Sequence, residues 1–377
     1  MTLPTALGVA SAVVAAAWMA CTAAAIATHR YTARCLHAEI QAEFSRLRVP
    51  GCVPGTRGVV MCAGGSMYLA QAFASLRCLR ETGCSLPVEI VHVGAEEVSP
   101  QDRAEFKARF GSSVRFLDAS AARLGVAPTN LRGFEIKSYA LLLTTFEHCI
   151  LLDADCLPID DPTPLFDEPA YTMHGCIFWP DYAVSTQLVR PWMLGVFCSG
   201  QVSRGFETES GQIVVHKPRC CEGLAYAWLL NKHADVFYKH YYGDKDLFRI
   251  GFIMARIPFY QVPHSAGIVG MASNTRDVVL CAMVQKWPRS GNPLFIHRTM
   301  HKRLSKHGVR PRWTVYVAND GLDQAHLHTI RWYKHHHGTC ISGACDQAGP
   351  TSSKWTSICE QVEADEQAYE LKRASKA

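Results

Sequence analysis

The chain has 377 residues, 48% of them apolar and 19% charged, with a formal net charge of +5. That composition allows one large domain or two moderate ones around a sizeable core and excludes global disorder. The basic residues are dispersed without a long Lys/Arg run, which argues against nucleic acid as a partner.

Residues 6–27 form an uncharged, mostly apolar run, which as a helix is about 33 Å long and can cross a bilayer core. Alanine dominates it, so a cleaved signal peptide is the rival reading. Residues 1–28 are therefore expected to be an N-terminal transmembrane helix or a signal peptide, and either one sends the remaining chain into the secretory pathway. Arg30 and Arg34 lie after the run, a flank that by itself favours a cytoplasmic C-terminus. The 16 cysteines would be thiols or zinc ligands in a cytosolic chain and partly oxidised in a secretory one, so the count by itself does not choose the compartment. Cys340 and Cys345 have the spacing of a small disulfide loop, with connectivity left open.

Residues 29–57 read as a stem ending in the turn chemistry of Pro50-Gly51-Cys52-Val53-Pro54-Gly55. From Gly58 the pattern becomes α/β. A short strand at Val59–Cys62 is closed by Gly64-Gly65, and Leu69, Phe73, Leu76 and Leu79 then recur at helical spacing until Gly83. A strand at Val88–Gly94 precedes a polar helix opened by Ser99-Pro100, and Val114–Leu117 is a third strand. A helix is expected from Ile136 to Phe146 and a strand over Cys149–Leu152. Strands alternating with helices imply a mostly parallel sheet flanked by helices on both faces, with ligands bound beyond the carboxyl ends of the strands.

Asp153-Ala154-Asp155 stands at such an end. In extended chain, side chains two apart share one face. Two carboxylates held together repel unless a cation joins them, and Mn²⁺ or Mg²⁺ suits oxygen ligands shared with substrate phosphates. A turn with a helix-capping Asp is the plainer reading of the same three residues.

Several ordered segments resemble the fungal-type α-mannosyltransferases of glycosyltransferase family 71. They are Gly64-Gly65 with Leu76-Arg77, Gly83 to Ile90, Lys137 to Leu141, Ile150 to Pro158, Phe178-Trp179-Pro180-Asp181, Glu209-Ser210-Gly211-Gln212, Gly243-Asp244-Lys245-Asp246 and Phe295 to Arg298. The resemblance spans roughly residues 58–303, read as the catalytic domain, and leaves 304–377 as a C-terminal extension without a counterpart. It implies a GT-A fold, GDP-mannose as donor, Mn²⁺ as cofactor, a mannosyl glycan acceptor, retention of anomeric configuration, and a single-pass type II place in the Golgi membrane with the catalytic domain lumenal. The enzyme rival is a glycogenin-like transferase that uses UDP-sugars to move glucose or galactose. A rival of another class is a non-catalytic glycan-binding or scaffold protein on a transferase fold.

Under the resemblance Asp153 and Asp155 hold the metal and His297, ending an apolar strand, completes the site; a core or rim histidine is the alternative. Lys137 is expected to meet donor phosphate or an acidic partner, with Arg132 a second candidate for that task. Gly64 and Gly65 form a loop at the donor side. Gly211 would let the backbone approach a sugar, while Glu209 and Gln212 would bond donor hydroxyls or the reacting face. Asp244 and Asp246 either line the acceptor cleft as catalytic carboxylates or simply cap a helix. Trp179 with Asp181 would pack on a sugar face, unless Trp179 belongs to the core. The run His335-His336-His337 is read as solvated surface rather than a zinc tract.

Overall fold

In the first strand, β1 (Val53–Cys62), the chain starts six residues before its apolar segment. Residues 53–58 pair on one side only, with β4 (Phe146–Asp153), and a register shift between Val53 and Arg57 absorbs Pro54 and Gly55. An edge with a bulge tolerates both residues, so turn chemistry here does not end the strand. The computed structural model describes residues 31–122, 124–128, 131–184, 196–197, 206–241, 243–272, 278–300, 313, 315–317, 332–335, 338–341, 349–350 and 353–375. The anchor or signal reading of 1–28 lies outside them, as do Cys345, His336 and His337. Among the described residues no helix is long and apolar enough to cross a membrane.

The main sheet has the order β3-β2-β1-β4-β7-β6-β8, with β2 at Val88–His92, β3 at Val114–Asp118, β6 at Cys176–Val184, β7 at Phe206–His216 and β8 at Tyr260–Gln261. Neighbours from β3 through β4 are parallel, as is the pair β6–β8, while β7 runs antiparallel to both β4 and β6. The sheet is mixed and mostly parallel, as expected. The helix before β4 is shorter than expected, Ile136–Leu143, because Thr144 and Thr145 turn the chain by donating their hydroxyls to Glu89 at 2.6 Å each.

A second, antiparallel sheet went unread in the sequence. Its centre is β10 (Val278–Lys286), flanked by β9 (Gly267–Ala272) and β11 (Pro293–His297), and β11 also pairs with β5 (Cys156–Pro158). β5 follows the Asp-Ala-Asp turn directly, so it ties the end of β4 to a strand about 140 residues later.

Helices cover both faces of the main sheet. One face carries the helices Lys217–Lys232 and Lys245–Met254, the other the helices Gly65–Glu81 and Pro100–Phe110, each over its own apolar cluster. The expected stem is helical over residues 31–46 and is not free chain. Ala33, Leu36 and Ile40 are buried in the first cluster, Phe44 stacks on Tyr226 with centroids 4.3 Å apart, and Glu43 pairs with Lys232. The C-terminal extension likewise contributes a helix, Ser353–Ala374, that packs on Gly65–Glu81. Its Tyr369 sits among Phe73 and Phe106 and donates to Asp102 at 2.7 Å.

Candidate active site

β1 and β4 end side by side, with Cys62 opposite Asp153, and the segment after Cys62 lines a cleft together with the acidic turn. Gly64, Tyr68, Glu97, Arg132, Phe134 and Lys137 line it beside Asp153 and Asp155. Gly65 has φ +71, the left-handed region, which opens the helix without strain. A Cβ on Gly64 would stand 2.0 Å from the Glu97 carboxylate, itself held by the Val93 N–H at 2.7 Å.

The register His297↔Cys156 lays the late imidazole on the acidic turn. His297 Nε2 lies 3.2 Å from Asp155 Oδ1 and 3.6 Å from Asp153 Oδ2, and its Nδ1 faces Glu209 Oε1 at 3.5 Å. The ligand atoms of Asp153, Asp155 and His297 all lie within 4.8 Å of one another. Both ring nitrogens of His297 are buried and neither makes an aligned hydrogen bond despite these neighbours. Burial alone would lower the imidazole pKa, but Asp155, Glu209 and Asp153 outweigh it and raise it. Two carboxylates and an imidazole with poorly satisfied nitrogens are a donor set that fits Mn²⁺ or a similar divalent ion.

Lys137 donates to Asp153 Oδ2 at 2.8 Å and to Ser210 Oγ at 3.0 Å, and lies 3.5 Å from Asp244 Oδ2. Burial works against its charge, yet Asp153 and Asp244 prevail and raise its pKa. Asp244 takes the N-cap position of the helix Lys245–Met254 without capping it; its carboxylate turns to Lys137 instead. Burial pushes the Asp244 pKa up to about 6, against the pull of Lys137. Glu209 accepts from the N–H groups of Ser210 at 3.0 Å and Gly211 at 2.9 Å. Around Lys137 and His297 there are thus four carboxylates, Asp153, Asp155, Glu209 and Asp244, a local excess of negative charge that a divalent cation would relieve.

Other expectations need correction. Asp246 does not reach the cleft: it is 1% exposed, held by Arg249 at 2.8 and 2.9 Å, and accepts from Thr208 N. Its charge is spent on a buried ion pair. Trp179 is 0% exposed, donates to Lys286 O at 2.7 Å and packs edge-on to Phe295, so it is core and offers no face to a sugar. Gln212 is fully buried, accepts from the Cys156 thiol and does not line the cleft. Gly211 makes room for a side chain: a Cβ there would stand 2.3 Å from His297 Nδ1. Asp181 is buried in an ion pair with Lys245, and Arg132 lines the cleft but pairs with Glu96 at 2.6 Å rather than with Asp153.

Among the described residues, two further groups could bring three ligand atoms together, Glu39/Glu43/His233 and Glu147/His148/His216. In the second, His216 Nδ1 accepts from Arg219 N at 3.2 Å as a helix cap, which leaves the proton on Nε2, facing Glu147 at 3.4 Å. That arrangement is a hydrogen-bonded cap, not a ligand set. Glu97, Tyr68 and Phe134 had not been singled out from the sequence. The one available signal was position, since Glu97 closely follows the carboxyl end of β2.

An Asp-x-Asp turn at the end of a central parallel strand, with a late histidine laid on it by an antiparallel partner, is the arrangement that the sequence resemblance led one to expect. The model of the family described as "Mannosyltransferase putative" matches residues 56–197 and 202–291, and the chain belongs to that family. Alpha-1,2-mannosyltransferase MNN23 of Candida albicans is 26% identical over 296 residues, covering 64% of this chain and 47% of its own length. Alpha-1,2-mannosyltransferase MNN2 of Saccharomyces cerevisiae is 28% identical over 123 residues, 33% of this chain and 21% of its own. The chain spans about half the length of the Candida albicans relative, and less of the yeast one. Among solved structures, mouse xyloside xylosyltransferase 1 aligns at 14% identity over 55% of this chain and 85% of its own, with a TM-score of 0.38. The glycosyltransferase GlyE of Streptococcus pneumoniae aligns at 14% identity over 55% of this chain and 46% of its own, with a TM-score of 0.36.

Proposed function

We propose that the chain is a metal-dependent, retaining α-mannosyltransferase that moves mannose from GDP-mannose to a mannosyl glycan acceptor. The observation that carries this reading is the convergence of Asp153, Asp155 and His297, from segments far apart in sequence, with the two carboxylates lining a cleft and the buried imidazole behind them. Family membership supports mannose as the sugar moved. A divalent cation held there supplies positive charge against the departing diphosphate. The chain's own residues do the rest. Lys137 fixes the Asp153 carboxylate and presents an ammonium at the cleft. Asp244, buried beside it, faces the Lys137 ammonium at 3.5 Å and so helps to hold the cation that fixes Asp153. Glu209 faces His297 from behind and sets its orientation.

The test is a donor screen by nucleotide release, GDP-mannose against UDP-sugars, with and without Mn²⁺. Transfer should require GDP-mannose and the metal, and the double substitution Asp153→Asn, Asp155→Asn should abolish it while the protein still folds. Transfer that survives chelation, or preference for a UDP-sugar, overturns the mechanism or the donor respectively. The same reading places the domain in the Golgi lumen as a type II protein held by residues 6–27. Digestion of the domain by protease in sealed Golgi vesicles would contradict it.

A further inference from the structure

The family match ends at residue 291, yet a helix far beyond it reaches the residue next to His297. Arg298 is 4% exposed, and its backbone N–H donates to the carbonyl of Asp155 at 3.0 Å. Its guanidinium is bound by Glu366 of the helix Ser353–Ala374, through Nη2 and, at 3.4 Å, through Nη1. The same helix is fastened at other points, by Asp365 to Arg77 and by Tyr369 to Asp102.

From this we propose that Glu366 is a positioning residue for the metal centre: by holding the Arg298 guanidinium it keeps that cation off Asp155 and fixes the backbone link between Asp155 and Arg298. The inference rests on the metal reading above. The physical reason lies in what Arg298 would do without its partner. A buried guanidinium cannot stay unpaired cheaply, and Asp155, whose carbonyl accepts the Arg298 N–H at 3.0 Å, is an acidic residue directly beside it. An Arg298 drawn to Asp155 would occupy a carboxylate that the metal needs and repel the ion besides. Asp365, one residue away, fastens the same helix to Arg77 without touching the Asp155–Arg298 pair. Helix attachment and metal-site positioning can therefore be separated by adjacent substitutions.

The experiment measures Mn²⁺ binding to the full chain by electron paramagnetic resonance and calorimetry, without substrate, alongside thermal melts. Glu366→Gln should weaken Mn²⁺ binding by about 10-fold or more, the scale for losing a group that orients metal ligands. Asp365→Asn should lower the melting temperature while leaving Mn²⁺ affinity within about 2-fold. Arg298→Met, which removes the competing cation together with its need for a partner, should restore most of the affinity in the Glu366→Gln background. If Glu366→Gln fails to fold, Glu366→Asp, which keeps the charge one methylene shorter, takes its place with the same expected direction. Equal Mn²⁺ affinity in wild type and the Glu366 variant overturns the positioning role alone, as does an equal loss in Asp365→Asn. Wild-type protein that binds no Mn²⁺ overturns the metal reading itself and this inference with it.

Discussion

Gly211→Ala isolates the placement of His297 from every other feature of the site. The added Cβ would stand 2.3 Å from Nδ1, 2.5 Å from Cε1 and 3.0 Å from Cγ of the imidazole. Ordinary contact is near 3.5 Å, so the ring must retreat by about 1 Å or the two strands must part. Since Nε2 lies only 3.2 Å from Asp155 Oδ1, a shift of that size removes the imidazole from the triad. Loss of orientation at a metal ligand costs about 10–100-fold in affinity, or roughly 1.4–2.7 kcal/mol. Mn²⁺ titration of the free protein and of the transfer reaction should both show the half-saturation point rising by that factor. His297→Ala should do the same, and Gly211→Ala added to it should do little more, because the methyl group then has space. Normal Mn²⁺ affinity in Gly211→Ala, or additive losses in the double variant, would refute the argument that this glycine exists to seat His297.

Two other expectations follow from the buried groups. Asp244 has a folded-state pKa near 6, above its ordinary value, so the folded state binds its proton more tightly than the unfolded state does. Its contribution to stability is therefore full below about pH 4 and lost as pH rises to about 6. Asp244→Asn should flatten the stability profile across that window, with a difference on the order of 3 kcal/mol at most, measured by denaturant melts; a parallel profile would contradict the assignment. Ile40 is fully buried in the core, so Ile40→Ala should cost about 2–5 kcal/mol. A loose stem would tolerate that change with almost none, and urea melts distinguish the two.

Much of the fold was legible because its signals are local. The apolar runs at Val59–Cys62, Val88–His92 and Ile150–Leu152 lie on buried, parallel strands, whose continuous hydrophobicity needs no partner to be recognised. Asp153 and Asp155 were legible because they follow such a run. The errors share one cause. Pro54 and Gly55 read as a linker because the bulge that accommodates them depends on pairing with β4. Trp179, Gln212 and Asp246 looked like site residues from their motifs, but which way each side chain points is set by the sheet and helix around it.

The sequence by itself determined the α/β alternation, the acidic turn at the end of β4 and the family. Strand period and helix period are properties of a few consecutive residues, and the family's motifs are runs of them. Only the tertiary structure decided through which strand register His297, which the resemblance had grouped with that turn, reaches it, that Gly211 seats it, that Asp244 turns to Lys137 while Asp246 goes to Arg249, and that residues 31–46 and 353–374 complete the core. Those facts depend on strand register and on which helix packs where, and both are fixed by contacts between residues distant in the chain, which no local pattern encodes.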